Sequence, residues 1–133
     1  LRQIAPQLAR SLGVPRDSVD AALRDTAVLA RLDVPTPTVE GYVFPATYTF
    51  PAGTTAREAV RQMVARFEQA WRPEWDARLQ ALALSRHDAV TLASIVEREA
   101  VRPAERPVIA AVYYNRLRKG MRLEADPTIQ YAL

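Results

Sequence analysis

Residues 91–100, TLASIVEREA, are the stretch on which the predicted fold depends, because they combine a helical pattern of apolar residues with two acidic side chains. Ser85, with Asp88 three positions later, is a helix-start signal close to a capping box. Apolar side chains then recur at the spacing of one helix face, at Leu92, Ile95 and Val96. The pattern predicts an amphipathic helix through this stretch.

The two acidic residues, Glu97 and Glu99, point in different directions from this helix. At about 100° per residue they are roughly 200° apart, so one helix cannot direct both at the same substrate bond. The row of Glu97 carries the small side chains of Ala93 and Ser94, which would let a substrate approach closely. Glu97 is therefore the first candidate for a chemical role, although most helical glutamates are solvated or ion-paired. Glu99 is free to pair with an arginine.

Composition limits the class of protein. The chain has 133 residues, about one domain's worth, and its 49% hydrophobic content is enough for a core. A net charge of +3 suits an anionic partner without requiring nucleic acid. With no cysteine and a single histidine, His87, a zinc site is not expected, and no metal or cofactor is predicted. No apolar run reaches membrane-spanning length.

Residues 1–31 are predicted to form two short helices, separated by Gly13 and Pro15. Their pattern of apolar and small residues also resembles a helix-turn-helix, with Arg16 and Arg24 available to contact phosphates. A plain helical hairpin is favoured, because the second helix lacks a polar recognition surface. No nucleic-acid partner is predicted.

An aromatic segment, residues 39–51, follows a boundary marked by Pro35 and Pro37. Its β-branched and aromatic residues alternate roughly and are interrupted by prolines, which predicts short extended pieces and one strand pair. Tyr42 and Tyr48 are candidates for lining a sugar-binding groove, with strand packing into a core as the equal alternative.

Three further helices are expected, each with its own start or stop signal. They are residues 55–72, opened by the Thr55 and Glu58 capping box; residues 107–118, with Pro107 in the first turn and Gly120 after the last; and a helix whose N-cap is Asp126. The predicted fold class is α+β, mainly helical with a short strand region.

Four segments together resemble one protein family. They are EGYVFP with the following TY, residues 40–48; ASIVERE, residues 93–99; YNRLRKGMRL, residues 114–123; and DPTIQY, residues 126–131. In this order and spacing they resemble the endolytic murein transglycosylases of the YceG-like (MltG) family. The resemblance implies a catalytic domain in residues 37–133, which in the family continues further, preceded in residues 1–36 by the end of a LysM-like helical subdomain.

The resemblance implies a bacterial enzyme held at the inner membrane by an N-terminal helix, with its catalytic domain on the extracytoplasmic side. It implies internal cleavage of peptidoglycan glycan strands, leaving 1,6-anhydro-N-acetylmuramic ends, with cell-wall synthases as further partners. The family's catalytic glutamate corresponds to Glu97. The alternative is a non-catalytic scaffold that docks cell-wall synthesis proteins.

A lytic transglycosylase can work with one carboxyl group, since no water has to be activated. The same glutamate would first protonate the leaving oxygen and then accept the proton of the muramic C6 hydroxyl. Apolar neighbours such as Val96 and Val101 would favour the neutral form of the acid. The candidates for substrate binding are Tyr42, Tyr48, Tyr114, Asn115, Asp126 and Thr128. The alternatives are structural roles: Tyr114 as an aromatic residue of the core and Asp126 as a helix cap.

Overall fold

The structure, a computed structural model, describes residues 2–132 and, within them, all side chains except those of Gln130 and Ala132. The described chain is built from helices joined by turns and irregular segments. They are α1 (Ile4–Leu12), α2 (Arg16–Ala22), α3 (Thr26–Leu32), α4 (Ala56–Ala70), α5 (Pro73–Ala81), α6 (Arg86–Glu99), a 3-10 turn (Pro103–Glu105), α7 (Arg106–Arg118) and α8 (Asp126–Ala132).

The predicted α+β class is wrong, because residues 2–132 contain no strand. The aromatic segment 39–51 is irregular, and its backbone bonds to the C-cap of α2 and to α4 instead of to a strand. The Val39 N–H donates to the carbonyl of Leu23 at 2.9 Å, and the Phe44 N–H donates to that of Met63 at 3.3 Å. Two prolines in the segment also lack the N–H that a sheet ladder requires.

The residues form two compact units, Leu1–Trp75 and Asp76–Leu133. In the first unit, α1, α2 and α4 pack together around a core of small and branched side chains. Its most deeply buried larger residues are Val19, Leu23, Val39, Tyr42, Val60 and Val64. The predicted boundary at residues 36 and 37 lies inside this unit and stays a prediction, since one compact unit can combine two sequence domains.

The N-terminal region has three helices where the sequence predicted two. The extra break lies at Asp25, whose side chain accepts a hydrogen bond from the N–H of Ala27 at 3.0 Å and so starts α3. Aspartate at this position satisfies one of the backbone donors that a new helix leaves free. Val19 and Ala22 on α2 and Val28 on α3 are buried, so the break turns both apolar faces towards the core.

The second unit has a small core at the contacts of α6 with α7 and α8. Its buried members are Ile95, Val96, Tyr113 and Ala125. The predicted start of α6 is confirmed, because Ser85 and Asp88 bond each other's backbone N–H groups in a capping box. Beyond α7, Gly120 adopts a positive φ of 65°, as predicted for the residue after a helix. Within the described residues, no helix is both long and apolar enough to cross a membrane.

Candidate active site

The loop between α6 and α7 is held in a compact shape by one acidic side chain. The carboxylate of Glu105 accepts hydrogen bonds from the N–H groups of Val101 at 3.2 Å and Arg102 at 3.0 Å. These bonds close the chain into the short 3-10 turn that leads directly into α7. As a result, Arg106, the first residue of α7, returns to the end of α6 and reaches Glu97.

Glu97 and Arg106 form an ion pair at this end of the second unit. Nη2 of Arg106 lies 3.0 Å from Oε2 and 3.1 Å from Oε1 of Glu97. The Glu97 side chain is 67% exposed and that of Arg106 is 48% exposed. Exposed pairs of this kind contribute roughly 0–1 kcal/mol, because solvent screens the charges and two long side chains must be ordered. The pair is therefore weak enough to be exchanged for another partner.

The surroundings of Glu97 differ from the apolar enclosure that the sequence predicted. Val96 is buried as a member of the core of the second unit. Val101 is 89% exposed, and Ala93 is also exposed. Arg106, which lies nine residues further along the chain, places a positive charge beside the carboxylate, where apolar neighbours were predicted.

An open groove of about 430 Å³ lies beside this ion pair, within the second unit. Apolar side chains form most of its walls, and Arg106 and Tyr114 are the lining residues with polar side chains. The full lining is Leu82, Leu84, Ala89, Leu92, Ala93, Val96, Arg106, Pro107, Ala110 and Tyr114. Arg106 thus both contacts Glu97 and forms part of the groove wall, which connects the carboxylate to a space that a ligand can enter.

Tyr114 and Asn115, two of the predicted binding residues, are neighbours on α7. Tyr114 lines the groove and is half-buried, and its hydroxyl donates to the carbonyl of Leu82 at 3.3 Å. Asn115 is exposed one position further along the helix. The ring of Tyr114 is therefore available to a molecule in the groove, whereas Asn115 presents its amide to solvent.

Glu99 lies on the other side of α6, as the 200° spacing predicts, and bonds to a tyrosine instead of an arginine. The hydroxyl of Tyr113, a residue that is 8% exposed, donates to the Glu99 carboxylate. Burial is the main cause that raises the pKa of Tyr113 above its ordinary value, and the negative charge of Glu99 is the second. The two glutamates therefore have separate partners, and only Glu97 belongs to the Arg106 pair.

Asp126 and Thr128 are at the start of α8. Asp126 is the first residue of that helix and is exposed. Thr128, also exposed, donates its hydroxyl to the carbonyl of Ala125 at 2.6 Å, and its backbone N–H bonds the same carbonyl at 3.0 Å. The helix thus begins at Asp126 itself, whereas the sequence predicted that Asp126 is the N-cap, which would start the helix one position later. The predicted roles of Asp126 and Thr128 in substrate binding stay predictions.

The predicted aromatic residues of the first unit have different environments. Tyr42 is 1% exposed and meets Phe67 edge-on, with ring centroids 5.2 Å apart. Tyr42 therefore packs in the core, which was the alternative to sugar binding, and contact with a substrate would require its ring to become accessible. Tyr48 is half-buried, stacks on Phe50 at 5.8 Å, and donates its hydroxyl to the carbonyl of Phe44 at 2.7 Å. Of the two tyrosines, Tyr48 is the one with accessible ring surface.

Comparison with known proteins gives the family. The model of the YceG-like family matches residues 1–133. Over 94 residues, 71% of this chain, the sequence is 38% identical to an endolytic murein transglycosylase of Bacillus subtilis (strain 168) and covers 26% of that protein. It is 35% and 34% identical, over 71% of this chain, to proteins of the same name from Streptococcus pneumoniae serotype 2 (strain D39 / NCTC 7466) and S. pneumoniae (strain ATCC BAA-255 / R6), covering 17% of each.

The chain thus spans about a quarter or less of the length of these relatives. No solved structure matches it significantly. The family model, by contrast, covers every residue from the first helix to α8. The chain therefore belongs to the YceG-like family.

Proposed function

We propose that this chain carries the catalytic residue of a lytic transglycosylase that cuts the glycan strands of peptidoglycan internally. Its family and the names of its curated relatives support this class of reaction. The observation that carries the assignment of the residue is the position of Glu97, an exposed carboxylate beside the open groove between α6 and α7. Glu97 is in reach of a polymer that lies along the surface.

The reaction requires one carboxyl group in two protonation states. In the first step, neutral Glu97 donates its proton to the glycosidic oxygen, and the bond from this oxygen to muramic C1 breaks. The C6 hydroxyl of the same muramic residue then bonds to C1, and the Glu97 carboxylate accepts its proton. The products are a new free hydroxyl end and a 1,6-anhydro-N-acetylmuramic end, and Glu97 regains the proton that it gave.

The direction of the second glutamate of α6 agrees with a single catalytic carboxyl group. Hydrolytic glycosidases commonly place two carboxyl groups about 5–10 Å apart on either side of the bond, so that one can act as nucleophile or activate water. Here the second glutamate of α6, Glu99, is directed to the other side of the helix and bonded to Tyr113. An internal hydroxyl nucleophile needs no activated water, so Glu97 suffices.

The lining of the groove supports the binding of this substrate. Its apolar wall suits the acetyl methyl groups and the apolar faces of sugar rings, and Tyr114 adds an aromatic surface. Because peptidoglycan lies outside the cytoplasm, the proposal includes an extracytoplasmic location at the inner membrane. Cell-wall synthases, which make the strands, are the protein partners that this location favours.

Cleavage of purified glycan strands in water enriched in heavy oxygen tests the proposal. A lytic transglycosylase releases fragments of intermediate length whose ends are anhydro sugars without heavy oxygen, as read by mass spectrometry. Heavy oxygen at the new ends would instead identify a hydrolase. Binding of the strands with no cleavage would favour the non-catalytic scaffold.

A further inference from the structure

We propose that Arg106 is a specificity-determining residue that binds a carboxylate on the muramic residue of the substrate and, in doing so, leaves Glu97. This inference rests on the proposed function, because it names the chemical group that the same site recognises. Arg106 is the starting point, since it is the one cationic residue that lines the described groove and also contacts the candidate acid.

The contacts of Arg106 leave it capacity for a second carboxylate. Within the described part of the chain, its guanidinium contacts Glu97 through Nη2. Its Nε and Nη1 can each donate a single hydrogen bond. The two edges of a guanidinium that bind a carboxylate through two parallel hydrogen bonds, Nε with Nη2 and Nη1 with Nη2, both include Nη2 and so become available when Glu97 leaves. A carboxylate that enters the groove can first bond Nη1 or Nε and then take over the Nη2 donor from Glu97.

The weakness of the present ion pair makes the exchange feasible. Both side chains are about half exposed or more, so their attraction is screened by solvent. A substrate that fills the groove excludes that water and strengthens its own charged contact with Arg106. The same movement is needed for catalysis, because the Glu97 oxygens must be released from the guanidinium before one of them can carry the proton that the acid step donates.

The substrate class carries the required group next to the scissile bond. Each muramic residue bears a lactyl substituent, which ends in a free carboxylate on strands without peptides. On strands with stem peptides the lactyl group is an amide, and the carboxylates belong to the peptide. Both sources offer the same chemistry to Arg106, and cleavage assays with the two kinds of strand separate them.

The test compares kcat/KM on peptide-bearing and peptide-free strands with kcat/KM on the same strands after their carboxylates are converted to methylamides. Because hydrogen bonds to a charged group are among the stronger ones, we expect the unmodified protein to prefer the carboxylate form by about tenfold. Arg106→Gln should bring this ratio close to one, and Arg106→Lys should retain part of it. Arg118→Gln, at the exposed far end of α7, is the matched control and should keep the full ratio.

An equal loss on both substrate forms in Arg106→Gln, with the preference intact, would show that Arg106 only maintains structure and would overturn the inference. Thermal unfolding of each variant checks that the fold is retained. In that outcome the proposed function stands, because cleavage itself is still observed.

A binding experiment tests Arg106 independently of catalysis. N-acetylmuramic acid and N-acetylmuramyl-L-alanyl-D-glutamate are titrated into the protein and followed by NMR, with their methylamides as controls. Glu97→Gln should bind at least one of the two acids more tightly than the unmodified protein does, because its Arg106 no longer has an ionic partner, and Arg106→Gln should bind neither. If this pattern holds without any strand cleavage, the proposed function fails while the role of Arg106 stands. Equal binding by all variants overturns that role.

Discussion

Asp25 is predicted to contribute more to the stability of the first unit than any single surface charge would. Its side chain, 7% exposed, accepts the Ala27 N–H and lies 3.1 Å from Nη2 of Arg61 and 3.5 Å from Nε of Arg57. Loss of an aspartate cap costs about 1 kcal/mol. Each ion pair with a partly exposed arginine contributes about 0.2–1 kcal/mol. Asp25→Ala should therefore lower the free energy of unfolding by about 2 kcal/mol.

Asp25→Asn is the matched control, because asparagine caps a helix about as well as aspartate but lacks the charge. It should lose only the ion-pair part, about 1 kcal/mol or less. Urea unfolding followed by fluorescence of Trp71, which packs against Phe67 in the same unit at 5.8 Å between ring centroids, measures both variants. Equal losses in the two variants would refute the assignment of a capping contribution to Asp25.

The pH dependence of this stability has a defined sign. Burial alone would raise the pKa of Asp25, but the hydrogen bond from Ala27 and the charges of Arg61 and Arg57 lower it overall. A carboxyl group with a lowered pKa in the folded state contributes stability that is present above its unfolded pKa of about 3.9. This contribution should be lost as the pH falls from there through the folded pKa, and Asp25→Asn should lack that part of the acid transition.

Three other predictions follow from particular contacts. Tyr113→Phe should lower the free energy of unfolding by about 1 kcal/mol through loss of the bond to Glu99. Burial and Glu99 raise the pKa of Tyr113, so its contribution to stability should disappear as the pH rises from about 10 through the folded pKa. Unfolding at alkaline pH should show this loss in the unmodified protein and not in Tyr113→Phe. Tyr48→Ala should weaken glycan binding in a pull-down assay while the Tm falls by only a few degrees, whereas a large fall in Tm with unchanged binding would show a core role. Ser85→Ala should cost about 1 kcal/mol in urea unfolding, because the capping box of α6 is lost.

Local signals allowed α4, α6 and α7 to be predicted from sequence. The side chain of Thr55 accepts the N–H of Glu58 and Glu58 bonds back, which requires only a spacing of three residues. The same holds for the start of α6 and for Gly120 after α7. These interactions join near neighbours in the chain, so the sequence pattern contains all the information needed.

The aromatic segment shows where local reasoning fails. The β-branched and aromatic side chains of Val39 and Tyr42 predicted a strand, yet both are buried in a core made by helices. Strand propensity reflects how well a side chain fits a half-buried surface, and a core made by helices buries the same side chains equally well. Tertiary contacts, such as the one between Tyr42 and Phe67, decide between the two.

The candidate site was predicted only in part, because some of its features depend on one helix and others on contacts between helices. Helical spacing predicts that Glu97 and Glu99 point in different directions, which is a property of one helix. It cannot predict the pair of Glu97 with Arg106, because the approach depends on the turn that Glu105 closes between two helices. The position of Pro107 in the first turn of α7 was the available signal that a helix start, and hence Arg106, lies in this region.

The rate of anhydro-end formation by Glu97→Gln, compared with Glu99→Gln, tests the central claim most directly. Both variants replace a carboxylate of α6 by an amide of the same shape, so each serves as the other's control. If Glu97 is the acid and then the base, Glu97→Gln should lower the rate by at least about 10²–10⁴-fold with an unchanged thermal transition, and Glu99→Gln should keep most of the activity. A folded Glu97→Gln protein that still forms anhydro ends at a comparable rate, or a Glu99→Gln protein that forms none, would contradict the account.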